Sequence, residues 1–230
     1  MKEFLSKVWK LFLKFLIGFF VLSIFSVIVF RWVPIPFTPL MLVRCAQQKF
    51  SSKPMKLNKK WVSIVKINNN LQLAVVCSED QNFLEHHGFD FEAIQKAVDF
   101  NENHKRKRGA STISQQTAKN VFLWPGRSWI RKGFEVYFTF LIELCWSKER
   151  IMEVYLNVIE MGDGVYGAEA AAQTFFHKSA KTLSSPQSAL IAAVLPNPIR
   201  FSAAHPNAYT NARQQWILTQ MGFWGGTLKY

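Results

Sequence analysis

The twenty residues from Leu11 to Phe30, LFLKFLIGFFVLSIFSVIVF, carry one charge, Lys14. A helix of about 20 predominantly apolar residues crosses the hydrocarbon core of a bilayer. The uncharged part, Phe15 to Phe30, is short for a span. Lys14 lies near its end and can carry its amine to the interface, so the whole segment reaches membrane length. A cleaved leader would have a shorter apolar region and a small-x-small cleavage site. Arg31-Trp32-Val33-Pro34 follows instead, which favours an uncleaved anchor. Lys2, Lys7, Lys10 and Lys14 precede or open the run and place the N-terminus in the cytoplasm, with Arg31 as a small counterweight. The expected organisation is a basic N-terminus over 1–10, a transmembrane helix over 11–31, a membrane-surface segment and linker over 32–60, and one domain over 61–230. Trp32–Arg44, WVPIPFTPLMLVR, is apolar but broken by prolines. It reads equally as a segment at the bilayer surface or as packing onto the domain.

Charge narrows the partners. The chain has 230 residues and a formal net charge of +13. Residues 1–78 hold twelve Lys/Arg and a single acid, Glu3; acids enter in force only at Glu79. Such an excess suits an anionic partner: nucleic acid, phospholipid or a phosphorylated substrate. Nucleic acid loses ground because the domain is expected outside the cytoplasm. The three cysteines, Cys45, Cys77 and Cys145, cannot all pair, and the five histidines show no ligand spacing, so no structural metal site is expected.

Downstream of Leu71 the chain reads as mainly α. NLQLAVVCSEDQNFLEHHG suits one helix stopped at Gly88, and Asp90 caps the next. Thr112-Ile113-Ser114-Gln115 fits a capping box, and Trp124-Pro125-Gly126 a stop. SWIRKGFEVYFTFLIELCW reads as an apolar central helix, Ser147 as the cap of KERIMEVYLNVIEMG, and Ser184-Ser185-Pro186-Gln187 as the opening of a late helix. Strand patterns are scarce; WVSIVKI alternates weakly.

Three stretches could carry chemistry. On one continuous helix Glu79, Phe83 and His86 would share a face, and a carboxylate desolvated beside an aromatic is a stronger base. The plainer reading makes Glu79 and Asp80 solvated, with Phe83 in the core and His86 satisfied. His86-His87 is a weak metal pair, since neighbours diverge on a helix. In KRKRGASTISQQTAKNVFLWPGR, small residues lead into a helix whose first turn offers N–H groups to an anion. Ser111, Thr112, Gln115, Gln116, Lys119 and Arg127 together suit a diphosphate; the Walker pattern is absent. Lys105–Arg108 alone is equally a solvated basic loop. Glu135, four residues after Arg131 on an apolar helix, is either half of an internal ion pair or a second active-site acid.

These blocks, in this order, resemble the glycosyltransferase family that polymerises peptidoglycan. EDQNFLEHHGFD, RGASTISQQTAKNVFL, RKGFEVY, KERIMEVYLNVIEMGDGVYGAEAAA and ALIAAVLPNP correspond to its five blocks, from about Leu73 to Pro198. The resemblance implies a lysozyme-like, two-lobed helical domain behind one transmembrane helix. It implies glycan-chain polymerisation, transferring the growing polyprenyl-pyrophosphate-linked glycan to the 4-hydroxyl of lipid II with inversion. With the chain ending at Tyr230, no transpeptidase activity is expected.

By the same resemblance Glu79 is the general base and Glu135 the second catalytic glutamate, by positioning, electrostatics or holding a divalent ion. Ser111, Gln115, Gln116, Lys119 and Arg127 bind pyrophosphate and sugar. Asp80, Phe83, His86, Arg131 and Lys132 support them. No cofactor is required, although Mg or Mn could ride on the substrate diphosphate, and no metal ligand is assigned. The implied partners are lipid II, nascent peptidoglycan, the bilayer and proteins of cell-wall synthesis or division. The implied location is the cytoplasmic (inner) membrane, single-pass, with the domain in the periplasm. Two rivals stand beside this reading: a lysozyme-like lytic enzyme acting on finished glycan, and a non-enzymatic anchored wall-binding protein.

Overall fold

The computed structural model describes residues 1–230 apart from 52–53, 105–108 and 127. The chain divides into two compact units, 1–34 and 35–230. The first is helix α1, Lys2–Phe30. It begins nine residues before the expected span, because the preceding Lys and Phe residues continue the helical register without a breaker. It is long and apolar enough to cross a membrane.

The second unit is mainly helical, as expected, with little sheet. Two of its features fall in the stretch expected to be a linker. Thr38 caps α2, Pro39–Phe50, with its hydroxyl accepting from the Met41 N–H, and Pro39 fills the first turn, where a missing N–H costs nothing. Asn58–Lys59 form strand β1. It pairs in parallel with β3, Val165–Tyr166, which pairs antiparallel with β2, Glu160–Gly162. Arg44 on α2 lies 3.7 Å from Glu160 on β2, so this stretch is bound into the domain.

The core is built around α3, Asn69–Glu79, in which every residue from Leu71 to Cys77 is buried. It packs against α9, Ser185–Val194, and α10, Ala208–Phe223. The small residues of ALIAAV on α9 let the two helices approach closely. α4 covers Phe91–Asn103, capped by Asp90 as expected. α5, Ile113–Phe122, opens on the expected Thr112–Gln115 capping box and packs on α6, Trp129–Cys145, and α7, Lys148–Val158. α8 spans Ala168–Phe176.

Three expected element types or ends change. WVSIVKI contains a 3-10 turn, Ile64–Lys66, instead of a strand. The long helix over NLQLAVVCSEDQNFLEHHG stops at Glu79, and turns follow to Gly88. Asp80 leaves the helix because its carboxylate is used across the fold, as described below. Position 88 still favours glycine, with φ +89° and a Cβ that would lie 2.9 Å from the Thr139 methyl. Lastly, α7 ends at Val158 and the chain turns into β2. At Gly167, φ +83°, the backbone passes so close to the Asn157 carbonyl oxygen that a Cβ would sit 2.8 Å from it.

Candidate active site

Glu79 is the last residue of α3 and is half-buried. Its Oε1 accepts from Ser78 Oγ at 3.2 Å and its Oε2 from Gln116 Nε2 at 3.0 Å. It borders a cavity of about 450 Å³, lined also by Asp80, Lys96, Ser111, Arg213 and Trp216. A carboxylate held at both oxygens, yet open to a cavity, can accept a proton from a bound hydroxyl group.

Asp80 turns the other way. It is 7% exposed. One oxygen accepts from the Ile113 N–H at 2.9 Å, and both lie within 3.0 Å of His86 Nε2. His86 Nδ1 accepts from the Gly88 N–H, which places the ring proton on Nε2, facing Asp80. Thr112 Oγ1 donates to the Gly88 carbonyl at 2.7 Å. These bonds clamp the end of α3, the turn to Gly88 and the start of α5 together. The proposed common face of Glu79, Phe83 and His86 therefore does not exist: the helix ends before Phe83. Phe83 is fully buried, edge-on to His86, with the Lys148 ammonium 4.8 Å from its ring centre.

α5 contributes unequally. Gln115, expected to bind substrate, is buried, and its side-chain oxygen accepts from the Thr112 N–H as part of the capping box. It holds the helix start, and Gln116, one position on, reaches Glu79. Ser111 is exposed at the cavity wall. Lys119 is half-buried, and among the described residues its ammonium has no hydrogen-bond or ion-pair partner. Burial pushes its pKa down; the nearby Glu135 and Glu79 oppose that, while Arg131 and Lys132 reinforce it. The lysine thus lies in the field of both glutamates. Arg127 and the basic residues Lys105–Arg108 lie outside the described residues.

Glu135 is 3% exposed. Arg131 Nη1 binds one oxygen at 3.0 Å and Lys132 Nζ the other at 2.5 Å. The internal ion pair foreseen with Arg131 is present and is widened by Lys132. With both oxygens engaged by cations, the arrangement suits positioning and charge balance better than metal binding. Among the described residues no group of three His, Cys, Asp or Glu side chains could hold a metal ion.

Arg213, on α10, escaped the sequence reading. Its Nη2 donates to the Ser78 carbonyl at 2.9 Å and lies 3.4 Å from Ser78 Oγ; its guanidinium stacks 4.5 Å above Trp216. It supports the residue that in turn binds Glu79. Neither α10 nor the 135-residue separation gives a sequence signal for that contact.

Comparison with known proteins shows the family. Residues 47–222 match the family described as Transglycosylase. A biosynthetic peptidoglycan transglycosylase of Bacteroides thetaiotaomicron is 62% identical over 206 residues, 90% of this chain and 83% of the relative. One from Bdellovibrio bacteriovorus is 54% identical over 212 residues, covering 92% and 85%. Another, from Pseudomonas syringae, is 50% identical over 222 residues, covering 96% and 94%.

Proposed function

The chain belongs to the transglycosylase family, and from that premise we infer that it is a glycosyltransferase that polymerises peptidoglycan glycan chains from lipid II. The observation that carries the assignment of roles is the held carboxylate of Glu79 at the cavity, with the Lys119 ammonium, without a partner among the described residues, in its field.

In this reading Glu79 takes the proton from the 4-hydroxyl of the lipid II sugar. That oxygen attacks the anomeric carbon of the growing glycan, which is linked α to polyprenyl pyrophosphate. The C–O bond to the pyrophosphate breaks with inversion, a β-1,4 bond forms, and the pyrophosphate leaves with the electron pair. Pyrophosphate is a competent leaving group once its charge is matched, so cations can stand in for a general acid. Lys119 supplies one such cation, and its depressed pKa reflects an ammonium kept partly out of water, where its attraction for an anion is strongest. Arg127 is assigned the same task on sequence grounds. Ser111 at the cavity wall and Gln116 are assigned to substrate contact, and Glu135 to holding Arg131 and Lys132 beside Lys119.

No cofactor is required in this scheme. A divalent ion such as Mg or Mn would arrive on the substrate's diphosphate, where it would further neutralise the leaving group.

The bilayer is the proposed physical partner, with α1 as a single anchor, N-terminus in the cytoplasm and the domain on the far side of the cytoplasmic membrane. Two observations support it: the length and composition of α1, and the outer face of α6. The exposed residues of α6 are Trp129, Ile130, Gly133, Val136, Phe140 and Leu144, none of them charged. A stripe of that kind suits lipid better than water. Proteins of cell-wall synthesis or division are proposed partners on the resemblance alone.

The test is polymerisation by detergent-purified full-length protein given lipid II, following glycan and released polyprenyl pyrophosphate. Wild type is expected to make both, and Glu79→Gln to make neither while staying folded. Cutting of finished glycan with lipid II left untouched would overturn the reading.

A further inference from the structure

Tyr155 on α7 is fully buried, and its hydroxyl donates to Gln116 Oε1 at 3.4 Å. The other end of the same carboxamide, Nε2, donates to Glu79 Oε2 at 3.0 Å. The three side chains come from three elements, α7, α5 and α3, and form one directional chain from phenol to amide to carboxylate. We propose that Tyr155 is a positioning residue for the reaction, acting on Glu79 through the Gln116 carboxamide.

The argument rests on what a carboxamide can do when only one end is fixed. Its two ends are nearly equal in size, and its terminal torsion is broad. Turned over, it would present Oε1 to the carboxylate, oxygen against oxygen. A donor at the far end biases that choice: with Nε2 facing Glu79 the tyrosine O–H donates to Oε1, whereas the turned amide would set oxygen against carboxylate and leave the phenol only as a weak acceptor. The tyrosine is suited to the task. Burial first, then the charges of Glu79 and Asp80, push its pKa well above 10, so it remains a donor throughout the working range. A buried hydroxyl left without a partner is costly, and Gln116 is the acceptor recorded for it among the described residues. The second oxygen of Glu79 is fixed independently, by Ser78 held in turn by Arg213. Tyr155 itself contacts no position where a sugar would react. Its effect must therefore pass through Gln116.

The plainer role, filling the core, belongs to the ring. Tyr155→Phe separates the two, since it keeps the ring and deletes the hydroxyl. The inference rests on Glu79 being the base, so wild type and Glu79→Gln are measured alongside. In full-length protein with radiolabelled lipid II, followed over hours so that slow variants remain measurable, Tyr155→Phe is expected to lower kcat roughly tenfold, since small misplacements of a reacting group carry penalties of that size. KM should change by less than about twofold, because the substrate contacts stay in place. In a Gln116→Ala background the same substitution should have no further effect, as required of two residues acting in series.

A Tyr155→Phe protein with wild-type kcat overturns the proposal. So does a loss of equal size with and without Gln116. Should Tyr155→Phe unfold, the ring pocket will not tolerate the change, and Gln116→Met then serves as the second variant. It fills the same space but severs the relay, and it must lower kcat for the proposal to stand, whatever KM does, since Gln116 is also assigned to substrate contact; a wild-type kcat in Gln116→Met overturns it. If wild type itself leaves lipid II untouched, the reading of the function fails, and that result is distinct from any of these.

Discussion

At the scale of single residues, Lys119 is where function and stability oppose one another. Its amine is partly buried without a described partner, and its pKa is pushed below the ordinary 10.5 by loss of water. Below the lowered value, folded and unfolded chains both hold the proton, and the burial penalty is felt in full. Between the lowered value and 10.5 the unfolded chain holds more protons, so wild-type stability climbs with pH. Lys119→Met should therefore raise the unfolding temperature near neutral pH, and the gain should shrink as pH rises into that window. The same variant should lose roughly a hundredfold in polymerisation rate, as expected when a charge-matching group is removed from a leaving group. Thermal unfolding at several pH values, beside the lipid II assay, checks both; a variant less stable than wild type at pH 7 would contradict the account.

Residue types and spacing marked Glu79, Lys119 and Glu135 as candidates but left the plainer readings open, and only the family resemblance gave each of them a role. Gln115 and Gln116 could not be told apart, since consecutive helical residues point about 100° apart and only the packing of α5 against α3 decides which one faces the acid. Arg213 was illegible for a related reason: its partner lies in a distant part of the chain.

At the scale of elements, local signals fixed the starts of helices and tertiary bonds fixed one crucial end. The capping box at Thr112, the Asp90 and Ser147 caps and the helix opening at Ser184 are all where the sequence put them, and Ser184 adds a second capping box. Each is a contact between residues three apart, so it can be read without the fold. The end of α3 at Glu79 is different. It follows from Asp80 accepting from the Ile113 N–H and from His86, groups that reach it only when α5 is docked. That junction is expected to be sensitive. Asp80→Ala strands a buried helix N–H and a buried imidazole and should destabilise by about 3 kcal/mol. Gly88→Ala, which forces a side chain into positive φ against Thr139 and Glu143, should destabilise by about 1–3 kcal/mol. Denaturant unfolding of each variant measures these losses. Both should also depress polymerisation, because the turn they disturb joins the base on α3 to the helix that carries Gln116 and Lys119. Wild-type stability in Asp80→Ala would mean that the junction is held by something other than this carboxylate.

At the scale of the whole molecule, the sequence declared an N-terminal helix long and apolar enough to cross a membrane and its helical character, but not how apolar the surface of the second unit would be. The reason lies in α6. Its sequence is apolar nearly all round, and the sequence reading took that to mean a central helix. The fold instead buries Glu135, Phe138, Leu141 and Ile142 and leaves Trp129, Phe140 and Leu144 at 92%, 60% and 71% exposure. Hydrophobic periodicity cannot separate a helix enclosed by protein from one shared between protein and lipid, since both present apolar residues on every side.

If α6 meets the bilayer, its outer face is a working surface, and charging it should separate membrane-supported activity from folding. In the full chain, Phe140→Glu combined with Leu144→Glu places two carboxylates on that stripe. Both positions are exposed, so the unfolding temperature in detergent should stay close to wild type. Each carboxylate forced toward hydrocarbon would resist immersion, and in vesicles containing lipid II the polymerisation rate should fall by about tenfold or more. In detergent solution, where the stripe can meet water or a deformable micelle, the rate should be nearly unchanged. Equal rates for variant and wild type in vesicles would show that α6 stays in water, and the apolar stripe would then need a different partner.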